Sequence, residues 1–493
     1  MLRKIFSYGT LAIISVLIQF ILIIYAVTAG SKVPAVGLFY CLLTFGCVVH
    51  IVNSDMPCAY KLGWTVPMLI FINYGGVLYL LLNKQHSINS LQLKMKPYLD
   101  KYVKKIKGII PENGVQKYLS ENIGFPLLNS PHSHYFESGE LLFDEMLKRI
   151  SDAKHYIYFE FFIFADGIAW KKLEDLLKIK VSEGVTVRII GDGAGCLFIK
   201  PHNFRKKLIS MGIDYREFNR VGLRISGRVN YRSHRKILVC DGEYAFCCGI
   251  NISDEYMNYK KRFGKWKDTG AMVSGDAALS FSAMFCGMWD YLSGTDKPSF
   301  LHTAEPEQKQ ISPLVQPFSD SPLDRNSVGL QTYLSLISSA QNEVILTTPY
   351  LICDDEMLNC LRFCARRGVK VTVITPGIPD KKYVYTLTRS FYKRLIESGV
   401  NIYEYTPGFI HSKTLLIDGK TAVIGSINFD YRSMYLLFEC GCVFYGGTAS
   451  EELKRDMINT ISVCKKIKYE EVSKTGLIVR IVRCFLKLFA PLM

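Results

Sequence analysis

Residues 231–242 read YRSHRKILVCDG and residues 408–419 read GFIHSKTLLIDG. His234, Lys236 and Asp241 therefore recur as His411, Lys413 and Asp418 at the same spacing, and the match continues into CGIN at 248–251 and GSIN at 425–428. The chain has 9 histidines, 60 basic and 44 acidic residues. With that composition, even a loosened His-basic-acidic version of the pattern arises by chance about 0.1 times per chain. Two copies mark an internal duplication, which dictates a chain folded as two lobes of one kind.

The flanking sequence repeats the theme. HYIYFEFFIF (155–164) predicts a buried strand, 167–184 an amphipathic helix ending at Gly184, and 185–193 the next strand. In the second half, 342–352, 355–368 with Gly368, and 369–377 predict the same series. Strand-helix-strand order gives an α/β class, with two pseudo-symmetric lobes of mixed sheets flanked by helices. Between them, 293–326 carries Pro298, Pro306, Pro313, Pro317 and Pro322 and reads as a linker too broken for long regular elements.

A single His-x-Lys pair is most often a surface strand face; the duplication changes that. Residues two apart in a strand point the same way, so each copy projects one imidazole and one ammonium together. If the lobes face each other, two of each converge on one cleft. That set suits a phosphodiester: the cations hold the non-bridging oxygens, one imidazole attacks phosphorus, and the other protonates the departing oxygen. This chemistry calls for no metal and no cofactor. Asp241 and Asp418 lie past the strand beside Gly242 and Gly419, so they read as turn anchors or partners of a base before direct participants.

The N-terminal end belongs to lipid. Residues 6–31, 33–54 and 62–83 hold no charged side chain, and each run is long enough for the roughly 20 apolar residues of a membrane span. Residues 1–85 thus form an anchor of two or three hydrophobic helices. Arg3 and Lys4 favour a cytoplasmic N-terminus, while Lys84, Lys94, Lys96, Lys101, Lys104, Lys105 and Lys107 put the following segment on the same side. Three full spans cannot satisfy both, so either one run is re-entrant or interfacial or the N-terminus faces outward. The expectation is a multi-pass protein of the cell membrane with its large domain cytoplasmic. The net charge of +16 suits anionic lipid, and no nucleic-acid partner is expected. The 15 cysteines include no C-x-x-C pair, which makes zinc improbable and leaves reduced packing thiols as the default.

The segments NYRSHRKILVCDG, GINISDEY, FGKWKDTG, TPYLICDDEML and FIHSKTLLIDGKTAVIGSINFDYRSM, behind hydrophobic N-terminal runs, resemble the bacterial cardiolipin synthases of the phospholipase D superfamily, from about Asn122 to Gly447. The resemblance implies two phospholipase D-like lobes and a transferase joining two phosphatidylglycerol molecules into cardiolipin with release of glycerol. It further implies that Asp268 and Glu439 orient the imidazoles, that Asn251, Asn428 and Ser426 help hold phosphate oxygens, and that His234 is the nucleophile with His411 as acid, then base. Glu439 stands in the apolar run MYLLFECGCVF, unlike an ordinary surface charge. Cys248 departs from the family pattern, where a glycine is expected. A hydrolytic lipase or nuclease, or a phosphatidylserine-type transferase, shares the core; a catalytically dead scaffold would be expected to lack one His or Lys.

The organisation expected is an anchor at 1–85, a basic connector at 86–121, a first lobe at 122–297, a linker at 298–326, a second lobe at 327–470 and an amphipathic segment at 471–493. In the last, Arg480, Arg483 and Lys487 recur at helical spacing among apolar residues, fit either for the lipid interface or for docking on the second lobe.

Overall fold

The computed structural model describes residues 8–82, 85–197, 199–222, 230–294, 313–324 and 327–492. Arg3, Lys4, Lys84, Pro298 and Pro306 lie outside them. Each lobe is built on six equivalent strands. In the first, β1 (Tyr156–Phe161), β2 (Thr186–Asp192) and β3 (Asp214–Phe218) run parallel, and β4 (Ile237–Cys240), β5 (Tyr244–Cys248) and β6 (Gly270–Ser274) continue antiparallel, in the order β6-β5-β4-β1-β2-β3. The second lobe repeats this with β7 (Glu343–Thr347), β8 (Lys370–Pro376), β9 (Asn401–Tyr405), β10 (Thr414–Ile417), β11 (Thr421–Gly425) and β12 (Leu437–Tyr445), ordered β12-β11-β10-β7-β8-β9. Parallel strands inside a layered fold are covered on both faces. That is why β1 is buried at every position and its sequence shows no alternation.

The crossover helices, Ile168–Ser182 and Asp355–Arg366, end just before Gly184 and Gly368, whose φ values of 88° and 98° lie in the left-handed region that a Cβ disfavours. The β4–β5 and β10–β11 hairpins turn on Asp-Gly pairs with both φ positive: 54° and 69° at Asp241-Gly242, 52° and 66° at Asp418-Gly419. This is the turn geometry that matches the twist of paired strands.

The two aspartates do more than turn the chain. The Asp241 carboxylate accepts from the backbone N–H of Lys154 (2.6 Å), His155 (2.8 Å) and Tyr156 (2.7 Å). Asp418 accepts from Gln341 (2.9 Å), Asn342 (2.7 Å) and Glu343 (2.8 Å). Each pins its hairpin to the start of the lobe's central strand, roughly 17 Å of strand away from the nearer residue of the His-Lys pair. Their grouping with the reacting residues is thereby corrected to the turn-anchor role. Asp418→Ala is expected to cost about 2 kcal/mol, measured by denaturant unfolding, because three donors lose a charged acceptor. Burial acts to raise the Asp418 pKa, but the backbone donors outweigh it and hold the carboxyl below its ordinary value. Its contribution is therefore present above the unfolded-chain pKa of about 4 and fades as pH falls through the lower folded value.

Two local expectations change. The stretch read as a linker contains a strand, Leu314–Asp320, paired antiparallel with β12, and Pro317 is accommodated where, among the described residues, β12 alone pairs with it. The third charge-free run is not one helix. It breaks at Phe71 into α3 (Cys58–Ile70), which contains Pro67, and α4 (Ile72–Leu82), each too short to cross a bilayer at 1.5 Å per residue. Only α1 (Tyr8–Ser31) and α2 (Pro34–Val52) are long and apolar enough to span among the described residues. Both leave their large apolar side chains exposed, Leu17, Ile21, Leu42 and Phe45 among them, as lipid-facing helices do. α4 packs closely on α2 through Gly76, whose N–H donates to Thr44 Oγ1 at 2.8 Å, while that hydroxyl donates to the Ile72 carbonyl at 2.5 Å.

The anchor joins the first lobe through α5 (Gln85–Val103), which lies along α6 (Asp276–Ser293). At Gly287 a Cβ would come within 2.9 Å of the Leu99 Cα. Tyr102 hydroxyl donates to buried Asp290, and Lys101 lies 4.0 Å from the same carboxylate.

Candidate active site

The His-Lys motif does not sit inside the sheet ladder. Ladder pairing of β4 begins at Ile237 and that of β10 at Thr414, so His234-x-Lys236 and His411-x-Lys413 occupy the extended lead-in to each strand. Just before it, each chain segment pairs with the opposite lobe. Arg232–Ser233 runs parallel to the start of β12, and the His234 N–H donates to the Phe438 carbonyl at 2.8 Å. Gly408–Ile410 runs parallel to Lys265–Lys267, and the His411 N–H donates to the Lys267 carbonyl at 2.7 Å. Each histidine is therefore held by the other lobe's backbone, which sets both motifs at the lobe interface.

The carboxylates follow the same exchange. His234 Nδ1 is 2.8 Å from Glu439 Oε1 of the second lobe, and His411 Nδ1 is 2.6 Å from Asp268 Oδ2 of the first. A carboxylate at Nδ1 keeps a proton there and leaves the Nε2 lone pair for chemistry. Lys236 Nζ donates to the His234 carbonyl at 2.6 Å; Lys413 Nζ donates to the His411 carbonyl and lies 2.7 Å from His411 Nδ1. The charges also reach across: Lys413 acts on His234, and Lys236 acts on His411.

Burial opposes every charge here. It pushes Lys236 down to about 8 and Lys413 to about 7, with Glu439 and Asp268 respectively working against it. His411 falls to about 4 through burial and the Lys413 ammonium, and His234 falls well below its ordinary value through burial and both lysines. Both imidazoles are thus neutral near pH 7. The carboxylates differ. Burial raises Glu439 to about 8, only partly opposed by Lys236 and Ser426, whereas at Asp268 the raising effect of burial is overcome by Lys413 and His411 and the net shift is downward.

The remaining residues expected at the site divide. Ser426 Oγ donates to Glu439 Oε2 at 2.5 Å and accepts from the Cys440 N–H at 3.0 Å, so it holds the carboxylate rather than facing a phosphate. Its counterpart is Gly249, where a Cβ would lie 2.1 Å from Asp268 Oδ1. Asn251 accepts from the Ile163 N–H at 3.1 Å and donates one amide N–H to the Tyr256 hydroxyl at 2.8 Å, which ties that much of its amide to the scaffold. Asn428 is buried beside Asp430 with a side-chain oxygen that has no hydrogen-bond partner. Cys248 fits where a glycine is expected because Gly270, its partner across β5–β6, carries no side chain; a Cβ there would come within 2.5 Å of the Cys248 Cβ.

Sequence reasoning missed two groups. Glu160 accepts from Ser233 Oγ at 2.6 Å and Asp192 from the Ser233 N–H at 3.0 Å, fixing the residue before the first histidine. Their signal was a carboxylate inside each apolar strand, in HYIYFEFFIF and VTVRIIGDG. Around His411 stand Trp266, Tyr256 and Phe409, with ring centroids at 5.3, 5.5 and 5.7 Å. Aromatic residues are too common in this chain for any spacing to have marked them.

Two lobes sharing one pair of His-Lys motifs define a phospholipase D-type site. A family described as cardiolipin synthase, PLD-like domain, matches residues 146–263 and 333–461, one match per lobe. An uncharacterized protein of Streptococcus mutans is 36% identical, covering 91% of this chain and all of its own. A Bacillus anthracis protein named cardiolipin synthase 2 is 30% identical over 91% of this chain and 89% of its own length. A phosphatidylserine synthase structure from Haemophilus influenzae shares the fold at a TM-score of 0.57 and 16% identity, covering 77% of this chain and 98% of that one. The chain belongs to the cardiolipin synthase PLD-like family of the phospholipase D superfamily, and its enzyme class is phosphatidyltransferase.

Proposed function

We propose that the enzyme transfers a phosphatidyl group between two phosphatidylglycerol molecules, yielding cardiolipin and glycerol. The observation that carries this reading is the reciprocal pairing of His234 with Glu439 and His411 with Asp268, which leaves one Nε2 from each lobe for a single phosphodiester. In the first step His234 Nε2 attacks phosphorus, the bond from phosphorus to the glycerol headgroup oxygen breaks, and that oxygen leaves with a proton from His411. In the second, a glycerol hydroxyl of another phosphatidylglycerol attacks the phosphatidyl-histidine, His411 takes its proton, and the phosphorus–nitrogen bond breaks. Lys236 and Lys413 neutralise the charge on the non-bridging oxygens. The entering phosphodiester also brings a negative charge that favours the proton on His411. One diester replaces another, so no nucleotide is consumed.

The name of the Bacillus anthracis relative and the membrane helices support a lipid acceptor over water. With α1 and α2 as the two spans and α3–α4 re-entrant or interfacial, the N-terminus and the lysine-rich connector fall on one side. That removes the conflict between Arg3 and Lys4 at one end and the connector lysines at the other, and it puts the catalytic lobes on the cytoplasmic face. The test is purified enzyme with phosphatidylglycerol alone in detergent, without added metal or nucleotide. Cardiolipin and glycerol are expected in equal amounts by mass analysis; phosphatidic acid in their place would make the enzyme a lipase.

The pH profile follows from the site. The value of kcat/KM is expected to rise as pH falls from 9 through the Lys236 and Lys413 values near 8 and 7, because the ammonium forms return. It declines only at the acid end, where His234, held well below its ordinary value by burial and both lysines, takes up a proton and loses its attacking lone pair. Initial rates between pH 4 and 9 at subsaturating lipid check this; a profile that climbs steadily above pH 8 would contradict it.

A further inference from the structure

The helix α7 (Leu477–Leu488) is docked the wrong way round for a helix of a soluble domain. None of its residues is buried. Leu477 (73%), Ile478 (78%), Ile481 (60%), Phe485 (60%) and Leu488 (53%) keep most of their surface exposed, and Ile478, Ile481, Phe485 and Leu488 fall at i, i+3, i+7 and i+10 on one face. The basic residues turn inward and to the flank. Lys487 Nζ stands 5.1 Å over the Phe391 ring of the second lobe, and Arg483 donates to Thr475 Oγ1 at 3.4 Å. Amphipathic helices on soluble domains bury the apolar stripe and solvate the charges; here the stripe has been left for something outside the protein.

The same chain supplies the reason to identify that partner as lipid. The C-terminal end of α7 meets the membrane anchor: a Cβ on Gly63 of α3 would contact the Leu488 carbonyl at 4.0 Å. On α3 and just past it, Leu62 (61%), Leu69 (55%), Ile70 (68%) and Phe71 (59%) are exposed as well. Apolar surface thus continues from the spanning helices over α3 to α7. Along its edge the positive groups crowd, with Arg389 acting on Arg483, and with Arg394 and Arg483 acting on Lys487. Like charges gathered beside an outward apolar stripe match the headgroup layer of an anionic leaflet, with the stripe at the acyl boundary and the cations at the phosphates.

We propose that α7 is an in-plane membrane contact, a second attachment that seats the second lobe on the anionic bilayer crossed by α1 and α2. The turn after it, Ala490–Leu492, packs on the short helix Tyr431–Tyr435, which follows Asn428 by three residues. The attachment therefore orients the lobe that carries His411, and it stands whether or not the transferred group is phosphatidyl.

Cys484 is an exposed thiol on this helix and Cys58 is exposed on α3. A nitroxide is attached to Cys484 in the full chain carrying Cys58→Ser, reconstituted in vesicles containing phosphatidylglycerol. A reference label is placed at Lys454→Cys, on the exposed surface of the second lobe, in a chain that carries both Cys58→Ser and Cys484→Ser. Relaxation by oxygen and by an aqueous nickel chelate reports depth. The label at position 484 is expected to favour oxygen at least about fivefold more than the reference, and Ile481→Asp with Phe485→Asp is expected to return that ratio to the reference value. A ratio at position 484 equal to the reference overturns the proposal. Spin–spin broadening that grows with the protein-to-lipid ratio overturns it too, since the face would then be covered by a second copy. The transferase assay above reads the chemistry separately.

Discussion

His234→Ala and His411→Ala are each expected to lower phosphatidylglycerol turnover by about 10⁴-fold or more, since covalent transfer needs both a nucleophile and a proton donor. The two losses should differ in kind. With a phosphatidyl ester of p-nitrophenol, whose oxygen leaves without a proton, His411→Ala should release about one equivalent of nitrophenol per enzyme and retain the lipid on the protein. His234→Ala should release none. The adduct should be acid-labile, as a phosphorus–nitrogen bond is. The opposite pattern would reassign the nucleophile to His411, and near-full turnover by either variant would dismiss a shared site. Stability should hardly change, because both rings are held at the lobe interface by backbone as well as side-chain bonds.

The second large effect is expected at Asp268. Asp268→Asn removes the charge that offsets burial at His411 from a distance of 2.6 Å, and the amide lets the imidazole adopt the wrong tautomer. A loss of about 10³-fold or more in kcat, with KM within a few-fold, is the expected outcome. Glu439→Gln should cost less, about 10²-fold. Burial already drives Glu439 toward its protonated form, with a pKa of about 8, and glutamine resembles that form in shape and charge. Steady-state kinetics on both variants at pH 7 checks the order; a larger loss for Glu439→Gln would show that the negative charge is needed at His234 instead.

Much of this architecture was readable because the relevant physics is local. The paired Asp-Gly turns, Gly184, Gly368 and the apolar runs of β1 and β7 announce their conformations through backbone sterics and burial that any short window displays. The third hydrophobic run misled for a related reason: composition counts apolar residues but does not register that Pro67 and the break at Phe71 leave two pieces too short to span. The Pro-rich stretch misled in the opposite direction, since Pro317 needed only a one-sided strand and β12 provided it.

Roles were less legible than membership. Asp241 and Asp418 share the motif, yet three backbone donors apiece occupy them; Asn251 matches the family pattern, yet its amide oxygen and one N–H also serve Ile163 and Tyr256. A spacing rule selects residues that recur together. It does not distinguish one that faces a substrate from one that shapes the strand carrying it.

The amino-acid order alone determined that the chain is doubled, that each copy contributes an imidazole and an ammonium, and that its first helices are made for lipid, because periodicity, charge and repetition are properties of a one-dimensional string. The tertiary structure alone decided that each histidine takes its carboxylate from the opposite lobe and that α7 turns its apolar side outward. Both depend on which surfaces meet between residues roughly one hundred to four hundred positions apart, and contacts over such separations leave no periodic trace in the string.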